Sequence, residues 1–140
     1  MRKENIIRLM DGGEEKTFKV KQMSATRGER FIFKLIMLLG GQTQVESLTD
    51  PYALLGSISS KPFDKVQELL DELISCVSRV NGGVETQLTP DNADGFVEES
   101  MTLLKLRAEA LKLNDFFHLS EQAPSTESSA ASVMINARVN

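Results

Sequence analysis

The two side chains best suited to catalysis, His118 and Cys76, occur once each in the chain. His118 follows Phe116-Phe117 at the end of a predicted helix, where an imidazole complements the helix C-terminus more readily than it acts as a general base. Cys76 falls inside the most regular amphipathic segment and has no second cysteine to share a metal or a disulfide, so it reads as an inert thiol near the core. The segment Asp91-Asn92-Ala93-Asp94-Gly95 has the outline of a calcium loop. Aligning Gly95 with the turn glycine of such a loop puts Pro90 at the first ligand position and Met101 at the last, and neither supplies a carboxylate. Glu98 and Glu99 are adjacent carboxylates, but neighbouring helical residues point roughly 100° apart and do not converge on one substrate atom. The chain has no Gly-x-Ser-x-Gly, no Gly-Lys-Ser/Thr loop and no Gly-x-Gly-x-x-Gly. Gly12-Gly13, Gly40-Gly41 and Gly82-Gly83 each follow a predicted element and read as turns or helix stops. No catalytic, cofactor-binding or metal-ligating residue is named on these grounds, and no enzyme activity is expected.

Charge is unevenly spread in a chain of net charge −4. Residues 1–30 hold eight basic and five acidic side chains, a balance of +3, whereas residues 61–119 hold six and eleven, a balance of −5. The basic start (Arg2, Lys3, Arg8, Lys16, Lys19, Lys21) is interrupted by Glu4, Asp11, Glu14 and Glu15, and Phe18 is its one aromatic residue. Both a continuous phosphate-binding face and a stacking platform are missing, which argues against nucleic acid. The longest apolar stretch, Phe31 to Leu39, is interrupted by Lys34 and is far shorter than a membrane span. The first residues lack the apolar stretch and cleavage site of a signal peptide. A small, soluble, intracellular domain is expected.

The elements that must position these residues follow from periodicity. Ile6–Met10, the turn Asp11-Gly12-Gly13 and the alternation of Phe18 and Val20 with Lys19 and Lys21 predict a β-hairpin over the first 23 residues. Thr26-Arg27-Gly28-Glu29 fits a capping box and starts a helix. Its run Phe31–Leu39 is apolar nearly all round, which predicts a central buried helix ended by Gly40-Gly41. Asp50-Pro51 opens a short helix that Gly56 and Ser59-Ser60 break. A stripe of Phe63, Val66, Leu69, Leu70, Leu73, Ile74, Val77 and Val80 predicts a helix from Pro62 to Arg79 or Val80, stopped by Asn81-Gly82-Gly83. Val84–Leu88 alternates as a short strand, 89–95 is turn-rich, and a last helix covers about Phe96 to Phe117, with a break near Ser100 as the alternative, and Leu103, Leu106, Ala110, Leu113 and Phe117 on one stripe. Ser120 to Asn140 carries five Ser and three charged residues, with one apolar cluster at Val133-Met134-Ile135, and reads as a mobile tail. The expected architecture is α+β: an N-terminal β-hairpin packed on a bundle of three to four α-helices over residues 1–119, followed by a Ser-rich tail over 120–140.

Three segments together resemble the tail assembly chaperones of long-tailed bacteriophages. They are the basic, strand-like Lys19-Val20-Lys21-Gln22-Met23-Ser24-Ala25-Thr26-Arg27, the apolar helix Phe31–Leu39, and the Leu-rich closing helix Leu104-Lys105-Leu106-Arg107-Ala108-Glu109-Ala110-Leu111-Lys112-Leu113-Asn114-Asp115-Phe116-Phe117. The resemblance spans about residues 4–119. It implies a protein that coats the long, largely helical tape measure protein in the host cytoplasm and is absent from the finished particle. It also implies that this chain is the short form of a pair, a longer frameshifted form recruiting the tail-tube protein, and that copies can self-associate around the client. A tail-completion or connector subunit retained in the virion, and a small regulatory adaptor for protein or DNA, are the competing readings. Six methionines, Met23, Met37 and Met101 among them, supply adaptable apolar surface wherever they reach solvent. No partner-binding residue is named.

Overall fold

The computed structural model describes residues 2–39, 51–58 and 60–114. The expectations for Gly40-Gly41, for His118 and for the tail over 120–140 lie outside the described residues. The chain opens with strands β1 (Glu4–Asp11) and β2 (Glu14–Lys21), joined by Gly12-Gly13. Both glycines adopt positive φ, 62° and 83°, the backbone that a two-residue hairpin turn requires and that side chains with a Cβ resist. Helices α1 (Ala25–Leu39), α2 (Pro51–Ile58) and α3 (Phe63–Ile74) follow. A second hairpin, β3 (Val77–Asn81) and β4 (Val84–Gln87), then leads through a single 3-10 turn at Ala93–Gly95 to helix α4 (Ser100–Asn114).

The two hairpins form one antiparallel sheet of order β1-β2-β3-β4. β2 is central, with Ile7↔Phe18 on one side and Phe18↔Arg79 and Val20↔Val77 on the other. The period-two alternation works as expected: Phe18, Val20 and Val77 are buried against the helices. Glu4, Lys19, Lys21 and Glu85 cross the opposite face as ion pairs, with Lys19 hydrogen-bonded to Glu85 and Lys21 at 3.4 Å from it. That bond raises the Lys19 pKa and lowers that of Glu85. The core joins these strand residues to Phe31 and Leu35 of α1, Leu69, Leu73 and Ile74 of α3, and Leu106 and Ala110 of α4.

Six expectations are corrected. The long helix ends at Ile74, not Arg79 or Val80, because Val77 and Val80 pair with Val20 and Thr17 as a strand. Their three-residue spacing continues the helical stripe, yet β-branched residues before Asn81-Gly82-Gly83 suit a hairpin equally well, and the free partner edge of β2 decides. Gly82 and Gly83, at φ 60° and 89°, are therefore a hairpin turn and not a helix stop. The cap of α1 is Ser24 in place of Thr26: the Arg27 N–H donates to its Oγ at 3.4 Å and the Gly28 N–H to its carbonyl at 2.8 Å. Gly56 lies inside α2 and does not break it. Helix α4 starts at Ser100, with Phe96 to Glu99 held outside it.

The sixth correction, at helix α1, bears on function. It is not buried all round. Its buried residues are Gly28, Phe31, Leu35 and Leu39, a single stripe, and it packs chiefly on α3 and α2. The Arg27–Glu72 ion pair at 3.0 Å and the Lys34–Glu68 pair at 3.8 Å fix α1 antiparallel to α3.

Candidate functional site

Of the residues singled out for chemistry, Cys76, the loop over 89–95 and Glu98-Glu99 lie among the described residues. Cys76 is not in a helix but in the two-residue link between α3 and β3, buried, with its thiol within 3.6 Å of the Glu72 carbonyl. Burial pushes its pKa up, which keeps it a thiol and a poor nucleophile at neutral pH. The loop resembling a calcium site is closed by its own atoms. Asn92 Oδ1 accepts from the Thr89 N–H at 2.7 Å, Thr89 Oγ1 accepts from the Asn92 N–H at 3.2 Å, and Asn92 Nδ2 donates to the Gln87 carbonyl at 3.0 Å. Among the described residues no three His, Cys, Asp or Glu side chains converge on a metal position.

The most concentrated polar geometry is one that sequence reading missed. Asp11, the last residue of β1, is fully buried, and its carboxylate accepts from the Lys16 ammonium at 2.7 Å. It also accepts from the backbone N–H groups of Glu98 at 2.8 Å and Glu99 at 2.9 Å, immediately before α4. Burial opposes its ionisation, but Lys16, the two N–H groups and the Thr102 hydroxyl together hold its pKa far below the usual carboxylate range. In return, Glu99 Oε2 accepts from the Gly12 N–H at 2.8 Å. The hairpin turn and the α4 N-terminus thus cap each other reciprocally, a capping box split across 87 residues of sequence. Glu98 and Glu99 are both part of this joint, through their N–H groups and the Glu99 carboxylate. These bonds tie the first hairpin to the start of α4, which is what the arrangement can do chemically.

The surface offers a different kind of site. On α1, Phe33 is 58% exposed, Ile36 44% and Met37 78%. They stand at i, i+3 and i+4, one face of the helix and opposite its buried stripe. Because α1 and α3 run antiparallel, the N-terminus of α3 lies at the Met37 end of α1, and there Phe63 is 75% exposed. The spacing predicts Phe63 in the core stripe of α3, but it stands at the first residue of that helix and is exposed. Of the methionines singled out by sequence, Met37 and Met101 are exposed and Met23 is buried. An apolar row of this kind has no reactive chemistry. It can cover apolar surface on another helix. The signal available in the sequence was surplus: Phe31–Leu39 carries apolar residues on more of the helix circumference than one contact face can bury.

A family model described as phage tail assembly chaperone protein, TAC, matches residues 12–125. No curated protein and no solved structure matches the chain. The match takes in every helix among the described residues, the 3-10 turn, β2 and the second hairpin; it includes the apolar face of α1 and the Gly12, Lys16, Glu98 and Glu99 side of the joint, and begins one residue after Asp11.

Proposed function

The chain belongs to the phage tail assembly chaperone family, and from that premise we propose that it binds the tape measure protein before tail-tube subunits polymerise, laying the outward face of α1 on apolar helical surface of that client. The observation that carries the reading is the row Phe33, Ile36 and Met37, set opposite the buried stripe of a helix that the domain already holds by its other side. Full burial of such side chains stabilises by about 1.5–3 kcal/mol each. With roughly half or more of each surface still exposed, the row offers on the order of 3–5 kcal/mol in total before ordering costs. One such contact is weak, near the millimolar range (about 4 kcal/mol). A long client engaged by many copies would be covered firmly yet released copy by copy, as an assembly factor must be. On this reading the protein works in the host cytoplasm and leaves before the particle is complete. A longer frameshifted form would bring the tail-tube protein to the same client.

The test is co-purification with the tape measure protein encoded beside this gene. The wild-type chain is expected to bring it down, and Phe33→Glu/Met37→Glu to lose it with the thermal midpoint unchanged. Mass spectrometry of purified virions is expected to find no copy of the chain. Absence of a complex, together with normal tails when the gene is deleted, would sink the proposal. Presence in virions at stoichiometric amounts would favour a retained tail subunit.

A further inference from the structure

The two edges of the sheet are built differently. β4 is four residues long, and short edge strands are one way folded proteins avoid pairing with other chains. β1 is eight residues long and pairs with β2 without a bulge from Glu4↔Lys21 to Asp11↔Glu14. Among the described residues no strand pairs with its other side. It contains neither proline nor lysine, and on the face turned away from the helices it presents Ile6, 56% exposed, and Met10, 60% exposed. A long, regular edge flanked by apolar side chains is a template for one more strand.

Charge selects the occupant. When β1 meets a second β1 antiparallel about an axis normal to the sheet, side chains on the same face stand opposite one another, so even-numbered residues meet even-numbered ones. The register centred on Ile6 places Glu4 opposite Arg8 of the second copy, twice by symmetry, with Ile6 against Ile6. Centring on Ile7 sets Glu4 against Met10 and Arg8 against Ile6, leaving both charges opposite apolar groups. Centring on Arg8 brings the two arginines face to face. Arg8 has no ion-pair partner among the described residues, and Glu4 has only Lys19 at 3.9 Å, so both are available for the first register. Opposite charges directly across a ladder stabilise it and like charges weaken it.

We propose that β1 pairs antiparallel with β1 of a second copy of this chain, in the register that sets Ile6 opposite Ile6, joining two four-stranded sheets into one. The client-binding face on α1 is not used, so this inference stands or falls separately from the proposed function.

Sedimentation equilibrium on the full chain is expected to give a dimer. Arg8→Glu replaces two attractive pairs with two repulsive ones and weakens it by about tenfold or more. Glu4→Arg does the same, and Glu4→Arg/Arg8→Glu restores it, a recovery that misfolding cannot mimic. Under mild oxidation Ile6→Cys links two copies, whereas Met10→Cys, which faces Arg2 in this register, does not. A chain that is monomeric at every concentration overturns the proposal. So does a dimer indifferent to Arg8→Glu, one dissociated instead by Met37→Glu, or equal crosslinking of the two cysteine variants.

Discussion

Replacing Asp11 by alanine removes the acceptor on which the reciprocal cap is built. The Lys16 ammonium, with its side chain 9% exposed, keeps only the Phe96 carbonyl at 3.1 Å. The N–H groups of Glu98 and Glu99, which donated at 2.8 and 2.9 Å, lose their partner beside the α4 N-terminus. Hydrogen bonds to a charged group contribute about 1.5–3 kcal/mol each but do not add when they share one acceptor. Breaking a buried ion pair from one side costs about 3–5 kcal/mol, because the remaining charge is stranded. That range is the expected loss for Asp11→Ala, a large part of the roughly 5–15 kcal/mol available to a domain. With a urea dependence of about 1–3 kcal/mol per molar, the unfolding midpoint should fall by around 2 M. Lys16→Met should cost less, since the carboxylate keeps its backbone donors. The double variant Asp11→Ala/Lys16→Met should be more stable than the sum of its parts, because no charge is left unpaired. An unfolding free energy for Asp11→Ala within about 0.5 kcal/mol of wild type, the range typical of uninvolved surface sites, would refute the reasoning.

Two further outcomes follow from the same chemistry. Since folding lowers the Asp11 pKa from its ordinary value of 3.8, its contribution is complete above that value and disappears as pH falls through and below it. Urea unfolding of the wild type should therefore weaken below about pH 4, and Asp11→Asn should flatten that acid limb. The buried Cys76 thiol, its pKa raised by burial, should react with a disulfide reagent at neutral pH only as fast as the domain opens, and at once in denaturant; rapid native labelling would contradict the assigned burial.

What the sequence disclosed was what local spacing decides. The first hairpin was legible because Phe18 and Val20 alternate with lysines behind a turn that needs two positive-φ residues, and the body of α3 because its stripe is long. The α3–β3 boundary was not legible, since Val77 and Val80 satisfy the helical spacing and the strand composition together; only pairing with Thr17 and Val20, some 60 positions away in sequence, chooses between them. Asp11 reads locally as a turn residue, and nothing near it announces that its carboxylate caps a helix starting at Ser100. The apolar circumference of α1 was visible, but how much of it the rest of the domain would cover was not, because that depends on which helices reach it.

That last point bears on how a domain this small can present apolar surface without coming apart. Its cohesion is concentrated on one side: the sheet, α4 and the Asp11 joint form a layer in which polar and apolar groups are both satisfied. Helix α1 sits at the margin of that layer, tied by one buried stripe and by the partly exposed pairs Arg27–Glu72 and Lys34–Glu68. Exposed pairs of this kind contribute little, roughly 0–1 kcal/mol, so Phe31, Leu35 and Leu39 do most of the holding. The outward residues Phe33, Ile36 and Met37 lie away from that stripe and leave much of their surface to solvent. Such a face is available to be shaped by a partner, and the domain can lend it to a client while the opposite stripe keeps the helix in place.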